Sequence, residues 1–455
     1  MCSVYLTLQT VMEIKQLYKL YLEHPVITTD SRQLTPGSIF LALKGASFNG
    51  NLFAQDALLK GCSYAIVDED VDVSEQLADR VIRVDDCLQT FKLLAREHRG
   101  QFSIPVIGIT GTNGKTTTKE LVAAVLAQRY NVMATEGNFN NDVGVPKTLF
   151  RLNSSHQIAI VEMGASHPGD IKTLVETAEP TCGLITNVGR AHLLGFGSFE
   201  GVKKTKGELY DFLAARNSLV FLNADNEHLA AMAAERNITN IYRYASSNQH
   251  QPRVVGEVVS CAPLLRFRWR LNDEAQGASC QQPWHEVQTN LIGTYNLDNL
   301  LAAISVGLHF GVEPGDINCA LEAYRPSNNR SQLEHTASNH LIVDAYNANP
   351  TSMAAAIDNF QRMEVSPKMA ILGKMGELGD VWEEEHRKVI ARLQQANFDC
   401  VWLVGEEFLE VESPYRRFAD VEEVKAAIAE EQPKGYYILI KGSNSVKLFQ
   451  LKDLL

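Results

Sequence analysis

The chain lacks the marks of several large protein classes. Its eight cysteines (Cys2, Cys62, Cys87, Cys182, Cys261, Cys280, Cys319 and Cys400) stand apart, with no Cys-x-x-C pair. That excludes the common zinc and dithiol spacings and favours free thiols in a reducing compartment. No apolar run approaches the roughly 20 residues that a membrane helix needs. No lysine or arginine precedes Lys15, so the start lacks the basic region of a secretory signal. Positive charge is also in deficit: 42 Lys and Arg against 54 Asp and Glu leave a net charge of -12. This argues against a nucleic-acid partner while leaving room for a local basic pocket. Internal repeats and low-complexity segments are absent, as is the Asn-Lys-x-Asp that a guanine-reading switch needs. The expectation is a cytoplasmic globular protein without a membrane span.

What is present points to an α/β enzyme of several domains. With 455 residues, one hydrophobic core is too few, and three is the natural division. Residues 1–100 alternate short strands (Ser38–Leu43, Tyr64–Asp68) with helices (Asn51–Lys60, Leu88–Arg99), and a helical pattern begins at Met12. Residues 1–11 read as an upstream extension. Residues 101–325 hold the apolar runs Val106–Ile109, Ile158–Val161, Gly183–Thr186 and Leu219–Leu222 between helical patterns, which predicts a mostly parallel sheet covered on both faces. Within them, Val254–Val259, Leu264–Leu271 and Val287–Ile292 read as a small antiparallel sheet, and Asn296–Phe310 as a helix. Residues 326–455 repeat the α/β rhythm with strands at Leu341–Asp344, Met369–Leu372, Val401–Val404 and Tyr437–Ile440, a Rossmann-like third domain.

The most informative stretch is Val-Ile-Gly-Ile-Thr-Gly-Thr-Asn-Gly-Lys-Thr-Thr-Thr at 106–118. A buried strand ends in a turn with glycines at Gly111 and Gly114, and a helical pattern runs from Thr117 to Gln128. Such a turn lets backbone N–H groups of Gly111, Thr112, Asn113, Gly114 and Thr117 converge on phosphate oxygens. Lys115 adds a cation, and Thr116 offers a hydroxyl to Mg²⁺. Ile109 occupies the position where the strict phosphate-loop pattern has glycine, so this is a variant loop.

Three polar clusters follow strands. Glu162, in Glu-Met-Gly-Ala-Ser-His-Pro-Gly-Asp170, sits where α/β sheets bind ligands and can ligate Mg²⁺ beside Thr116. His192 follows the next strand, and Lys203, Lys204 and Lys206 follow it. A bare ammonium repels Mg²⁺, so Lys206 belongs in a metal site only as a carbamate; otherwise these lysines are a solvated helix face. Asn328-Asn-Arg330-Ser-Gln332 and Asp344-Ala-Tyr-Asn-Ala-Asn-Pro350 form the third cluster. Arg330 can neutralise charge during phosphoryl transfer, and Asp344 can orient a lysine, a water or a ribose.

Taken together, Thr110-Gly-Thr-Asn-Gly-Lys-Thr116, Glu162-Met-Gly, His192 with Lys206, Asn296-x-x-Asn299, Arg330 and Asp344-x-Tyr-Asn-x-Asn-Pro350 resemble the Mur ligase family, the ATP-dependent amino-acid ligases of peptidoglycan synthesis. Four further stretches are similar to the member that joins D-alanyl-D-alanine to UDP-N-acetylmuramoyl-tripeptide: Asp30-Ser-Arg32 with Gly37–Gly45, Thr135–Pro146, Glu162–Ile171 and Leu372–Gly379. The Asp-Asn-Pro-Arg motif of the sibling that adds the third residue is missing. Two departures stand out: Asn49-Gly-Asn51 where the family often has Asp-Gly-His, and Lys374 where aspartate is common.

The resemblance implies a three-domain fold: residues 1–100 binding a UDP-sugar, 101–325 binding ATP and 326–455 binding the amine substrate. It implies that Lys115 and Thr116 hold ATP phosphates and Mg²⁺, with two ions expected. Glu162, His192 and a carbamylated Lys206 would be metal ligands. Asn296 and Asn299 would approach adenine, and Arg330 and Asp344 would complete the nucleotide site. Ser31, Arg32 and Lys44 would hold the uridine-diphosphate end, and Asn138, Asn140, Asn141 and Asp142 would line the reaction cleft. A monomer is expected.

Overall fold

The computed structural model describes residues 13–272, 282–326, 330 and 332–455. The upstream residues 1–11, and Asn328, Asn329 and Ser331 of the arginine cluster, lie outside the described residues. The chain forms two compact units.

The first unit comprises the chain to Ile104 together with Phe139–Ser155 and Glu176–Glu179. Its sheet is four parallel strands, β1 (Ile27–Thr28), β2 (Ile39–Leu41), β3 (Tyr64–Val67) and β4 (Val81–Arg83), in that order. The helix Cys87–Gly100 starts at Asp86, whose carboxylate accepts from the Gln89 N–H at 2.7 Å, a standard N-cap. Its inner face carries Phe91, Leu94, Ala95 and His98. The last turn explains why two distant segments join this unit. Phe150 packs on His98 and Tyr21, with ring centroids at 5.5 and 4.9 Å. Arg99 donates to the carbonyls of Ala178 and Glu179 at 3.0 and 3.1 Å.

The second unit carries two sheets. The larger is built from β5 (Val106–Thr110), β6 (Val132–Ala134), β7 (Ile158–Glu162), β8 (Cys182–Ile185), β9 (Leu219–Asn223), β10 (Ile241–Ala245), β11 (Val254–Cys261), β12 (Leu264–Leu271) and β13 (His285–Ile292). They lie in the order β13-β12-β11-β10-β9-β8-β5-β7-β6. Strands β5, β7 and β8 are buried along their whole length, as continuous apolar runs in a two-sided parallel sheet must be. In β12, Leu265, Phe267 and Trp269 turn inward and Arg266 and Arg268 do not, the alternation of a one-sided antiparallel strand. The antiparallel part is not a separate sheet: β11 joins β10 in parallel through Tyr244↔Val254 and Ala245↔Val255. The helices Lys115–Leu126 and Asn296–His309 pack closely, because a Cβ at Gly307 would stand 2.4 Å from Val125 Cγ1.

The second sheet is formed by β14 (Gln332–His335), β15 (His340–Asp344), β16 (Lys368–Gly373), β17 (Cys400–Val404), β18 (Arg416–Phe418) and β19 (Tyr437–Lys441), ordered β14-β15-β19-β16-β17-β18. Only the edge pair β14–β15 is antiparallel. Observed element ends fall within two residues of the expected ones. Asn51–Lys60 resolves into a 3₁₀ turn, Gly50–Phe53, and a short helix, Ala54–Leu59. Among the described residues, no helix is long and apolar enough to cross a membrane.

Candidate functional site

The site is built around the turn between β5 and the helix Lys115–Leu126. Gly111 and Gly114 both have positive φ, 147° and 78°, conformations that glycine adopts at little cost. Space is a second reason. A Cβ at Gly111 would stand 2.0 Å from Thr186 Oγ1, and one at Gly114 would stand 2.6 Å from Asn299 Oδ1. The residues after β8 hold the turn open. Thr112 N donates to Asn187 O at 3.0 Å, and Asn113 N donates to Asn187 Oδ1 at 3.0 Å. Thr186 Oγ1 and Asn187 Nδ2 donate to Asn113 O at 2.6 and 3.0 Å. Lys115 folds back, its ammonium donating to Gly111 O at 2.9 Å and Thr112 O at 3.1 Å. Burial pulls its pKa down, with Glu162 acting in the opposite sense and Arg330 adding to the drop. A cation anchored on its own loop and facing a second cation is poised for a polyanion.

Behind the loop, buried Thr116 donates to Glu162 Oε1 at 3.1 Å. Thr118 donates to Asn299 Oδ1 at 3.0 Å, Asn299 Nδ2 to Asn296 Oδ1 at 2.8 Å, and Asn296 Nδ2 to Ile292 O at 2.8 Å. The two asparagines expected near adenine therefore brace the loop helix, and both are buried. Thr117 lies half-buried on the first turn of that helix.

Lys206 is 2% exposed. Its ammonium has Ala165 O at 3.5 Å and the Phe196 ring at 5.4 Å. Burial, then Lys115, push its pKa well below that of an ordinary lysine. It is therefore no solvated surface lysine, although its neighbour Lys204 is exposed. His192 takes a left-handed conformation (φ 50°) at the start of a short helix, Leu193–Phe196, and its Nδ1 meets the Glu377 carboxylate. Burial lowers the His192 pKa and Glu377 opposes that shift. Among the described residues, no three His, Cys, Asp or Glu side chains converge on one point. Thr116 and Glu162 instead offer two hard oxygens, the open type of site that Mg²⁺ completes with water and substrate phosphates. The donor set fits that ion.

The second sheet supplies the other wall. Arg330 lies over the Tyr346 ring at 3.8 Å and within electrostatic reach of Lys115. Asp344 accepts from Lys441 Nζ at 2.5 Å; of the partners open to it in the sequence, a lysine is the one it holds. Lys441 is 1% exposed and also donates to Asn347 O at 3.3 Å. Sequence reasoning gave no role to Thr186 and Asn187, which open the polar cluster that ends at His192, or to Glu377, which lies within Leu372–Gly379, and it missed Lys441. Lys441 ends β19 as Asp344 ends β15, and only the parallel register pairs them. Lys374, the departure noted above, donates to Glu407 at 2.8 Å.

In the first unit, Arg32 is bound to Asp30 through Nε and Nη2 at 2.9 and 2.8 Å, which holds the Asp30 carboxyl far below the usual carboxylate range. Ser31 lies between them. Lys44 meets Asp68 and Glu69 at 3.1 and 3.0 Å. The departure Asn49-Gly-Asn51 joins the same network, Asn49 donating to Glu69 at 2.6 Å and Asn51 to Asp68 at 2.8 Å. A cleft of about 200 Å³ is lined by Thr28, Asp30, Gln33, Phe91, Lys147 and Phe150. Asn140, Asn141 and Asp142 belong to this unit and exposed Asn138 to the other. Asn141 holds the start of the helix Gly144–Leu149, its Oδ1 accepting from Gly144 N at 2.8 Å.

Residues 25–99 match the Mur ligase family catalytic domain, 109–307 the Mur ligase middle domain and 329–444 the Mur ligase glutamate ligase domain. The chain is 31% identical to the UDP-N-acetylmuramoyl-tripeptide–D-alanyl-D-alanine ligase of Bacillus subtilis (strain 168), covering 98% of each sequence. A crystal structure of MurF from Acinetobacter baumannii superposes with a TM-score of 0.83 at 29% identity, over 94% of this chain and 92% of that one. MurF of Thermotoga maritima in complex with ADP gives 0.83 at 26% identity, over 95% and 97%.

Proposed function

The chain belongs to the Mur ligase family, and from that premise we propose that it uses ATP to join D-alanyl-D-alanine to UDP-N-acetylmuramoyl-tripeptide in peptidoglycan precursor synthesis. One observation carries the reading. A phosphate loop with Lys115, the Thr116–Glu162 pair and a buried Lys206 lies within electrostatic reach of Arg330, two residues before β14. That is a cleft for a nucleotide triphosphate and a second anion.

A carboxylate resists attack at its carbon because it is already negative. An oxygen of the tripeptide's terminal carboxylate attacks the γ-phosphorus, the bond from that phosphorus to the β–γ bridging oxygen breaks, and ADP leaves. The resulting acyl phosphate has an electrophilic carbonyl. The neutral amine of D-alanyl-D-alanine attacks that carbon, the carbon–oxygen bond to phosphate breaks, the amine proton is lost and orthophosphate departs. Lys115 and Arg330 lower the repulsion between the two approaching anions. Lys441 fixes Asp344 at the end of β15, next to the residues that carry Arg330's ring partner, Tyr346. Thr116, Glu162, His192 and a carbamylated Lys206 would hold Mg²⁺ (two ions in this proposal), which when bound neutralises phosphate charge. Burial lowers the Lys206 pKa and so favours the neutral amine, the form that captures CO₂.

The uridine-diphosphate end falls to Ser31, Arg32 and Lys44, on the unit with the 200 Å³ cleft. Asn138, Asn140, Asn141 and Asp142 fall to the peptide, and Asn296 and Asn299 to the adenine side of the loop. The working division is 1–100, 101–325 and 326–455, in a cytoplasmic monomer. Phosphate release measured with the nucleotide-tripeptide and D-alanyl-D-alanine, each omitted in turn, tests the proposal. It is expected only when both are present, and release indifferent to the dipeptide would refute it.

A further inference from the structure

The Asp344–Pro350 motif carries a second asparagine, Asn349, immediately before its proline. Asn349 is 4% exposed and begins the helix Pro350–Arg362. Its two amide atoms do different work. Oδ1 accepts from Ser352 N at 2.9 Å, capping the helix, and Ser352 Oγ returns a bond from Asn349 N at 3.1 Å. Nδ2 leaves the helix altogether and donates to Asn113 Oδ1 at 2.8 Å. Asn113 is the residue of the phosphate loop whose main chain is already held by Thr186 and Asn187. Its side chain is thus tied to an element 236 positions away in the chain.

A second tie runs beside the first. The loop after β8 touches Thr112 through Gly189 N, at 2.9 Å from Thr112 Oγ1. One residue on, Arg190 N donates to Thr351 Oγ1 at 3.3 Å. A Cβ at Gly189 would stand 3.0 Å from Thr351 Oγ1, so glycine permits the approach without a shift of a few tenths of an ångström in its neighbour. The first turn of the helix Pro350–Arg362 therefore rests on the phosphate loop both directly and through this strap.

We propose that Asn349 is a positioning residue that couples occupancy of the phosphate loop to the seating of the second sheet. The inference rests on the nucleotide reading above. A loop held in its phosphate-ready shape from the far side binds nucleotide more tightly. By reciprocity the bound nucleotide strengthens that seating by the same factor. One net hydrogen bond supplies about a fivefold effect.

A double-variant cycle tests it on the full chain. Asn349→Ser keeps a helix-capping oxygen but cannot reach Asn113, and Asn113→Ala leaves the cap untouched. Each should weaken binding of a non-hydrolysable ATP analogue with Mg²⁺ about fivefold, and the double variant no further, with melting temperatures unchanged. Should Asn349→Ser melt early, Asn349→Asp keeps the cap and lacks the donor, and it takes its place. Hydrogen exchange gives a readout that a merely structural role would not move. The analogue should slow amide exchange in 350–362 at least threefold in the wild type and not in Asn113→Ala. Losses that multiply, unchanged affinity in either single variant, or equal slowing in Asn113→Ala would overturn the coupling. A wild type that never releases phosphate with both substrates would instead remove the nucleotide reading, and this inference with it.

Discussion

Lys115 and Lys206 show how burial assigns opposite tasks to the same side chain. Lys115 keeps two carbonyl acceptors from its own loop and can exchange them for phosphate oxygens. Lys115→Ala should lower turnover at least about 100-fold with an unchanged circular dichroism melt; near-normal phosphate release would contradict its role. Lys206 is buried among weak partners, with its pKa well below the ordinary value. Between that lowered value and the roughly 10.4 of an unfolded lysine, the folded chain binds fewer protons at this position than the unfolded chain. Stability therefore falls as pH drops through that window. In CO₂-free buffer with chelator, Lys206→Met should raise the melting temperature at pH 7 by about 2–4 °C and flatten its pH dependence, while ligation is lost. A melting point that drops would show that the lysine is not held against its solvation. Lys206→Ala should likewise be inactive and be partly rescued by a short-chain carboxylate in the phosphate-release assay. Both lysines were legible in the sequence because each sits in a motif. Lys441 and Glu377 were not, since one meets its partner only through strand register and the other only through contact between the two sheets' loops.

At the scale of elements, the fold was legible wherever apolar periodicity is strong. The parallel strands were readable as unbroken apolar runs, and β12 as alternation between apolar residues and arginines. Their attachment was not readable: two backbone pairs, Tyr244↔Val254 and Ala245↔Val255, make one sheet of what the sequence suggests are two. Joining is a matter of which edges lie side by side, and side-chain patterns carry no information on that. Helix packing shows the same limit. Gly307 is where the helix Asn296–His309 meets the loop helix at Val125. Gly307→Ala should cost about 1–3 kcal/mol through overpacking, seen as a lower urea midpoint with an unchanged slope. No shift in midpoint would mean that the two helices are not in tight register.

For the molecule as a whole, the sequence suggests a boundary near residue 100; the leading segment of the first compact unit runs to Ile104. It also draws in Phe139–Ser155 and Glu176–Glu179. Long-range ties explain this, the stacking of Phe150 and the guanidinium of Arg99 among them, and no local pattern announces them. Three of the four residues expected to line the reaction cleft, Asn140, Asn141 and Asp142, therefore travel with the unit that carries Arg32 and Lys44. The account as a whole depends on the terminal carboxylate of the tripeptide being phosphorylated before the amine arrives. The direct measurement is isotopic: the nucleotide-tripeptide labelled with ¹⁸O in that carboxylate is turned over with ATP and D-alanyl-D-alanine, and the released orthophosphate is analysed by mass. One labelled oxygen per orthophosphate is predicted, and label-free orthophosphate accompanying full product formation would contradict the mechanism.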